Sequence, residues 1–98
     1  MLVPDLSKIK GFQWDKGNVE KSYLKHGISI KKAEEIFLDV KLLLLEDIKH
    51  SQKEERFIAI GETIQNKILF AVFTVRGDKV RIISIRNANK KERIQYEK

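Results

Sequence analysis

Basic side chains lie on both sides of a Gly-Asp pair at residues 77–78, between two runs rich in β-branched and apolar residues. A two-residue Gly-Asp break between such runs is typical of a β-hairpin. In that hairpin Arg76 faces Lys79 and Thr74 faces Arg81, so three cations gather on one face near the turn. Like charges this close repel each other unless an anion lies across them, and arginine suits bidentate phosphate binding. The hairpin therefore predicts a phosphate-bearing partner.

Strict alternation along the hairpin also sorts its remaining polar residues. It would place Val72 opposite Ile83 and turn Ser84 and Arg86 to the other face. Arg86 could then share a site with Arg81 only if the sheet twists strongly or the strand bulges. On this interpretation the cations nearest the turn attract and hold the substrate or partner.

The other candidate residues suit proton transfer beside a cationic clamp. RNA needs little more for its own cleavage, because its 2′-hydroxyl attacks the adjacent phosphate once a base accepts the proton and an acid protonates the leaving oxygen. The candidates are His26 as base or acid, Arg56, Arg81 and Arg86 as phosphate ligands, and Lys25 and Tyr96 as positioning or proton-donating groups.

Simpler interpretations exist for several of these residues. His26 precedes Gly27 and could equally be a cation at a helix C-terminus. Arg56 follows two glutamates, with which it could form surface ion pairs that contribute little. The acidic groove of a partner protein would explain the basic hairpin as well as RNA does.

Other classes of site lack their usual signatures. The two histidines are far apart and no metal-ligand spacing occurs, so we expect no metal and no other cofactor. The sequence also lacks a glycine-rich phosphate loop and the sharp GxSxG turn of serine hydrolases.

Charge is concentrated at the C-terminal end of the 98-residue chain. Residues 76–98 carry eight basic and three acidic side chains, and hence +5 of the total net charge of +6. This distribution predicts a nucleic-acid or acidic-protein surface. The residues predicted to form this binding surface are Arg76 and Lys79 at the hairpin and Lys90, Lys91 and Arg93 in the following segment.

The composition also predicts the cellular compartment in which the chain works. The sequence has no cysteine, no apolar run near the ~20 residues of a membrane span, and no signal-peptide pattern at its start. We therefore expect a cytoplasmic protein that does not enter a membrane.

The secondary-structure pattern predicts an α+β fold. A short strand at residues 12–14 precedes helices at 16–26 and from residue 30, the second with Ser29 as its N-cap. Strands follow at 42–45, 56–63, 68–76 and 79–86, and Asn89 with Glu92 has the form of a capping box that opens a short terminal helix. The predicted order is β-α-α-β-β-β-β-α, with two N-terminal helices and one C-terminal helix on a mainly antiparallel sheet. Residues 1–11 are interpreted as an extended or loosely attached leader and residues 12–98 as one domain.

Read together, these positions resemble the BrnT family of toxins over residues 12–98. The matching residues are Trp14, Asp15, Asn18, Lys25, His26, Gly27, Phe37, Asp39, His50, Ser51, Glu54, Glu55, Arg56, Phe57, Gly61, Thr74, Arg76, Gly77, Asp78, Arg81, Ile82, Ile83, Ser84, Arg86, Ala88, Glu92, Arg93 and Tyr96.

The resemblance implies a RelE-like ribonuclease toxin of a type II toxin–antitoxin system. It implies metal-independent RNA cleavage, arrest of translation, and neutralisation by a BrnA-type antitoxin that binds operator DNA through a ribbon-helix-helix domain, in a heterotetramer. The matched polar site would comprise Lys25, His26, Arg56, Arg81 and Arg86, with Tyr96 in addition. Two alternatives stay open: a non-catalytic module that acts as co-repressor with a DNA-binding protein, and a structural domain with a basic face.

Overall fold

The computed structural model describes residues 3–14, 26–50 and 53–98. Five strands and two α-helices lie within these ranges: β1 (Gly11–Gln13), α1 (Ile30–Glu35), β2 (Leu43–Glu46), β3 (Phe57–Glu62), β4 (Ile68–Arg76), β5 (Lys79–Asn87) and α2 (Lys90–Glu97). The predicted helix at residues 16–26 lies outside the described residues except for His26, its last position. Gly27 follows with a φ of +66°, as a helix C-terminal cap does.

The five strands form one mixed sheet in the order β1-β5-β4-β3-β2. The pairs β2–β3, β3–β4 and β4–β5 are antiparallel, as the sequence predicts, whereas β1 pairs with β5 in parallel. The chain thus begins the sheet at one edge and, after α1, resumes it at the opposite edge. The α+β class is confirmed, and the sheet is mixed rather than wholly antiparallel.

One face of the sheet carries the hydrophobic core, and we call it the core face. Ala59, Ala71 and Phe73 lie there fully buried. Ala33 of α1 and Ile36 of the turn after it pack over them. Aromatic rings extend this contact to β1, because the ring of Phe37 packs edge-on between those of Phe12 and Phe73. The predicted N-cap is confirmed, since the Ser29 hydroxyl accepts a hydrogen bond from the Lys32 N–H.

We call the opposite face of the sheet the outer face. A β-bulge in β5 determines which side chains of that strand lie on it. The predicted pairs Arg76–Lys79 and Thr74–Arg81 are confirmed, but the register shifts between Phe73 and Val72, and Val72 faces Ser84. The predicted pair of Val72 with Ile83 is therefore wrong. Ile83 is the extra residue of the bulge, which reverses the alternation of side chains beyond it.

The bulge changes which side chains of β5 share a face. Val80, Ile82 and Ile85 are all buried in the core cluster, although strict alternation would turn Ile85 outward. Correspondingly Ser84 and Arg86 share the outer face with Arg81. The expectation from strict alternation that Ser84 and Arg86 point the other way is wrong. The strand bulges, which is one of the two conditions under which Arg86 and Arg81 could share a site.

Helix α2 packs against the outer face rather than the core face. Its predicted capping box is present, because the Asn89 side chain and the Glu92 side chain each accept from the other's backbone N–H. Ile60 belongs to the outer face through its pairing with Phe70 and is fully buried, while α2 contacts its strand, β3. The sheet is thus covered on part of both faces.

The N-terminal segment is attached more closely than the sequence suggests. Val3, Leu6 and Ile9 pack against the core cluster, and the Lys10 N–H donates to the Asp78 carbonyl across to the β4–β5 turn. The interpretation of a loosely attached leader is therefore wrong for residues 3–10. Its apolar residues recur every three positions and cover one end of the core.

Gly61 marks a close approach between β3 and the turn that follows α1. A Cβ at Gly61 would lie 2.9 Å from Cβ of Ile36, 2.9 Å from the Ile36 carbonyl oxygen and 2.9 Å from Cδ1 of Leu42. Backbone atoms among these neighbours cannot move aside easily. A side chain at this position would therefore push the helical layer away from the sheet.

We expect Gly61→Ala to lower the free energy of unfolding by about 1–3 kcal/mol, the usual cost of overpacking a core. Denaturant unfolding measures it. Gly11→Ala is the matched control, because a Cβ there meets nothing within 4 Å. Equal stability of the two variants would contradict the close approach.

Candidate functional site

A row of polar side chains crosses four strands on the outer face. Thr74 of β4 faces Arg81 of β5, and Arg81 faces Gln13 of β1. Arg56 comes directly before Phe57, a core-face residue, so alternation puts Arg56 on the outer face beside Thr74. With strands about 4.8 Å apart, the two arginines are roughly 10 Å apart at Cα with Thr74 between them. We call Arg56, Thr74, Arg81 and Gln13 the polar row.

Contacts of the neighbouring backbone hold the polar row in place. The Thr74 hydroxyl, buried with 2% of the residue exposed, donates to the Glu55 carbonyl at 2.7 Å. The Asp47 N–H donates to the Arg56 carbonyl at 2.9 Å, which extends the β2–β3 ladder beyond its last strand residue. Arg56 and Arg81 both have interaction partners in the structure. The two arginines are thus carried on a fixed frame rather than on a loose loop.

Arg76 and Lys79 form the next row toward the hairpin turn. Gly77 has a φ of +63° at the first central position of that turn, a conformation that glycine adopts without strain. Arg76 forms an ion pair with Glu54 at 3.3 Å in which 49% of the arginine side chain is exposed. An exposed pair of this kind contributes little to stability, so it can exchange for another anion. Lys79 is exposed beside it.

Arg86 lies on the outer face but is held by α2. Its two terminal nitrogens donate to the two carboxylate oxygens of Glu92, each at 2.8 Å, and its guanidinium lies 4.2 Å from the centre of the Phe70 ring. The hydrogen bonds to Glu92 raise the pKa of Arg86, and the same bonds lower the pKa of Glu92. Arg86 therefore joins the sheet to the first turn of α2.

Tyr96 joins the other end of α2 to the segment before β2. Its hydroxyl donates to Asp39, whose carboxylate also accepts from the N–H groups of Lys41 and Glu62. Burial and the neighbouring Asp39 carboxylate raise the pKa of Tyr96 well above its ordinary value. Burial works to raise the pKa of Asp39, but these hydrogen bonds outweigh it and leave the pKa lowered. Tyr96 is consequently a neutral donor with its proton engaged.

The remaining candidates are spread over the molecule. His26 is exposed and lies two residues before Ile28, which is buried in the core cluster. Lys25 lies outside the described residues. Lys90, Lys91 and Arg93 are exposed on α2, where Arg93 donates to the Ala88 carbonyl at 3.5 Å.

The described residues thus bring together only part of the predicted set. Arg56, Arg76, Lys79, Arg81 and Arg86 share the outer face, and α2, which carries Tyr96, packs on the same side. Among the described residues, no group of three His, Cys, Asp or Glu side chains is arranged to hold a metal ion. No helix in the described ranges is long and apolar enough to cross a membrane.

Comparison with known proteins identifies the family. The model of the family described as "Ribonuclease toxin, BrnT, of type II toxin-antitoxin system" matches residues 14–92. The chain belongs to this family.

One solved BrnT structure shares the fold of this BrnT-family chain. It is the 1.1 Å crystal structure of the Brucella abortus ribonuclease toxin, BrnT, which matches with a TM-score of 0.60 at 23% sequence identity, over 82% of this chain and 97% of that chain. The likeness shows a common α+β fold. No curated protein matches the sequence.

Local sequence patterns do not reveal several functional candidates of this BrnT-family chain. Gln13 enters the polar row through parallel pairing with β5, which a local pattern does not reveal. The sequence predicts Glu92 as a capping residue, but its bond to Arg86 depends on the bulge. Asp39 belongs to the residues that carry the family resemblance, and that match is the one signal that could have indicated its contact with Tyr96.

Replacing Glu92 tests the attachment of α2. We expect Glu92→Gln to lower the free energy of unfolding by about 1–2 kcal/mol, because the charged pair with Arg86 and part of the capping box are lost. Glu97→Gln, an exposed residue at the other end of the helix, is the control. Thermal and urea unfolding measure both variants, and equal values would contradict an anchoring role for Glu92.

Replacing Tyr96 tests its bond to Asp39 through pH. A carboxyl group with a lowered pKa contributes stability above its ordinary pKa of 3.8, and this contribution is lost as the pH falls through its folded value. Tyr96→Phe removes one donor and so raises the pKa of Asp39.

We expect this variant to be about 1–2 kcal/mol less stable than the parent chain near about pH 7, with a smaller difference below about pH 3. Urea unfolding at the two pH values measures the difference. A destabilisation that is independent of pH would mean that Tyr96 acts through packing alone.

Proposed function

We propose that this chain is a metal-independent endoribonuclease toxin whose outer face binds RNA through the polar row. The observation that carries the proposal is the pairing of Arg81 with Thr74, together with the position of Arg56 directly before Phe57, which by alternation puts Arg56 on the other side of Thr74 on the same face. Guanidinium groups on two strands about 10 Å apart at Cα can converge on a single phosphate. The family description as a ribonuclease toxin supports the same reaction class.

In the proposed reaction the 2′-hydroxyl of RNA attacks the adjacent phosphate. Arg56 and Arg81 stabilise the charge that develops on the phosphate oxygens, and a general base and acid move the two protons. His26 is the proposed proton-transfer group on the family resemblance and the chemistry of imidazole alone; it lies two residues before the buried Ile28 and is not a member of the polar row. Lys25, also carried by the family resemblance, is proposed as its cationic neighbour.

We assign Arg86 and Tyr96 supporting functions in this proposal. Both side chains are engaged within the protein, Arg86 with Glu92 and Tyr96 with Asp39. Their proposed contribution is to hold α2 against the outer face beside the polar row. Arg76, Lys79, Lys90, Lys91 and Arg93 then extend the basic surface along which an RNA strand lies.

The proposed partner is a BrnA-type antitoxin with a ribbon-helix-helix domain. Type II membership implies an antitoxin. An antitoxin that covers the polar row would exclude RNA directly and need no conformational change in the toxin. The proposal includes a RelE-like toxin domain at residues 12–98, a heterotetrameric complex, contact with operator DNA through the antitoxin alone, and action on translation in the cytoplasm.

Substitution of Arg81 tests the polar row. We expect Arg81→Ala to reduce RNA cleavage about 100- to 1000-fold, the cost of removing one group that stabilises charge in the transition state. Arg81→Lys should recover only part of the activity, since lysine keeps the charge but not the bidentate geometry. Lys31→Ala, which removes an exposed cation from α1, is the control.

The assay measures products from RNA incubated with purified chain in the presence of EDTA. Products that end in 2′,3′-cyclic phosphate support the proposed mechanism. Full cleavage by Arg81→Ala would refute the site. Intact RNA together with salt-sensitive binding would instead favour a non-catalytic co-repressor module.

A further inference from the structure

An apolar sheet edge lies on the side of the molecule away from the basic hairpin. Strand β2 ends the sheet of described strands, and its sequence from residue 42 to 45 is four consecutive leucines. Leu43, Leu44 and Leu45 are each only partly buried. An exposed apolar edge strand readily pairs with another strand, and proteins normally cover or charge such an edge.

Two of the most exposed apolar side chains flank this edge. Val40, before β2, has 98% of its surface exposed, and Ile48, after β2, has 76% exposed. Neither carries the charge or proline that would discourage pairing. Apolar surface therefore lies along the strand and beyond both of its ends, separated from the end residues by Lys41 and Glu46, which indicates a partner rather than chance exposure of one residue.

We propose that β2 pairs with β2 of a second copy of this chain, antiparallel about a two-fold axis. Charge favours a second copy over an acidic or basic partner. Lys41 stands at one end of the strand and Glu46 at the other, so the edge is close to neutral with opposite charges at its two ends. Asp47, beyond Glu46, is buried and has its own partner within the chain. Antiparallel pairing of two such strands brings each basic end to an acidic end.

The faces of the sheet fix the register of this pair. Leu44 belongs to the core face through its pairing with Ala59, whereas Leu43 and Leu45 belong to the outer face. Residues opposite each other in a sheet point to the same side, so like faces must meet across the new pair. Centring the axis on Leu44 places Leu43 opposite Leu45 of the second copy.

The same register aligns the flanking residues. Val40 of each copy comes to the end of the strand pair where the other copy carries Ile48, and Lys41 comes to the end that carries Glu46. Only this axis pairs Leu43, Leu44 and Leu45 with leucines, because an axis at residue 43 would set Leu45 against Lys41 and one at residue 45 would set Leu44 against Glu46. The two outer faces of the dimer lie on the same side of one continuous sheet.

The proposed contact is small, and a weak dimer is expected. Two short strands with their flanking residues bury less than the roughly 800 Å² per partner of a standard interface. Self-association should therefore appear in the range of about 10–500 μM in sedimentation equilibrium on the 98-residue chain.

Val40→Asp tests the edge directly. We expect it to raise the dimer dissociation constant at least about tenfold, because it puts a carboxylate near the acidic end of the second copy. Ile64→Asp is the matched control, since Ile64 is 77% exposed but lies in the β3–β4 turn. A chain that stays monomeric throughout the range, or equal effects of the two variants, would overturn the proposal.

A second measurement tests the register. The sequence has no cysteine, so a single introduced cysteine can form a disulfide only with the same residue of a second copy. In the proposed dimer the two copies of residue 44 face each other at about 5 Å between Cα atoms, within the range for a disulfide. The two copies of residue 43 lie about 8 Å apart, outside it.

Leu44→Cys should therefore form a disulfide-linked dimer under mild oxidation much faster than Leu43→Cys does. Equal rates would overturn the register. If Val40→Asp left self-association unchanged but weakened binding of the antitoxin, the edge would belong to the antitoxin and the proposal of a second copy would be wrong.

Discussion

The single extra residue in β5 is the constraint on which both faces of this sheet depend. A shift of one residue in a strand exchanges its inward and outward side chains. Without the bulge at Ile83, Ile85 would leave the core and Arg86 would point into it, where an unpaired charge is very costly. The bulge keeps the apolar residues of β5 on the core face and its polar residues on the outer face over nine residues of strand.

The two faces are stabilised by different kinds of contact. The core face is built from apolar packing, with the aromatic rings of Phe12, Phe37 and Phe73 in edge-on contact. Helix α2 has no buried residue and is joined to the outer face by polar contacts at its two ends, through Arg86 and Asp39. Polar attachment leaves the rest of the outer face available for charged side chains, which a wider apolar contact would displace.

Local sequence patterns predicted most elements of the fold. The hairpin turn, the cap at Ser29 and the capping box at Asn89 are fixed by side chains within a few residues of each other, so they are visible in the sequence. The parallel pairing of β1 and the packing of residues 3–10 against the core depend on contacts between distant parts of the chain. For the same reason the candidate site was predicted in part, with Arg81 placed correctly and Arg86 placed on the wrong face.

The sequence by itself determined the class of the fold, the basic character of the C-terminal quarter and the membership of the BrnT family, since each of these is carried by residue types and their spacing. Only the tertiary structure decided which cations share a face. Gln13, Thr74 and Arg81 come from three strands and Arg56 from the residue before a fourth, and strand register joins them into one row. Register is set by the packing of the whole core against the sheet. A single inserted residue can change the register, and the local sequence pattern does not reveal that change.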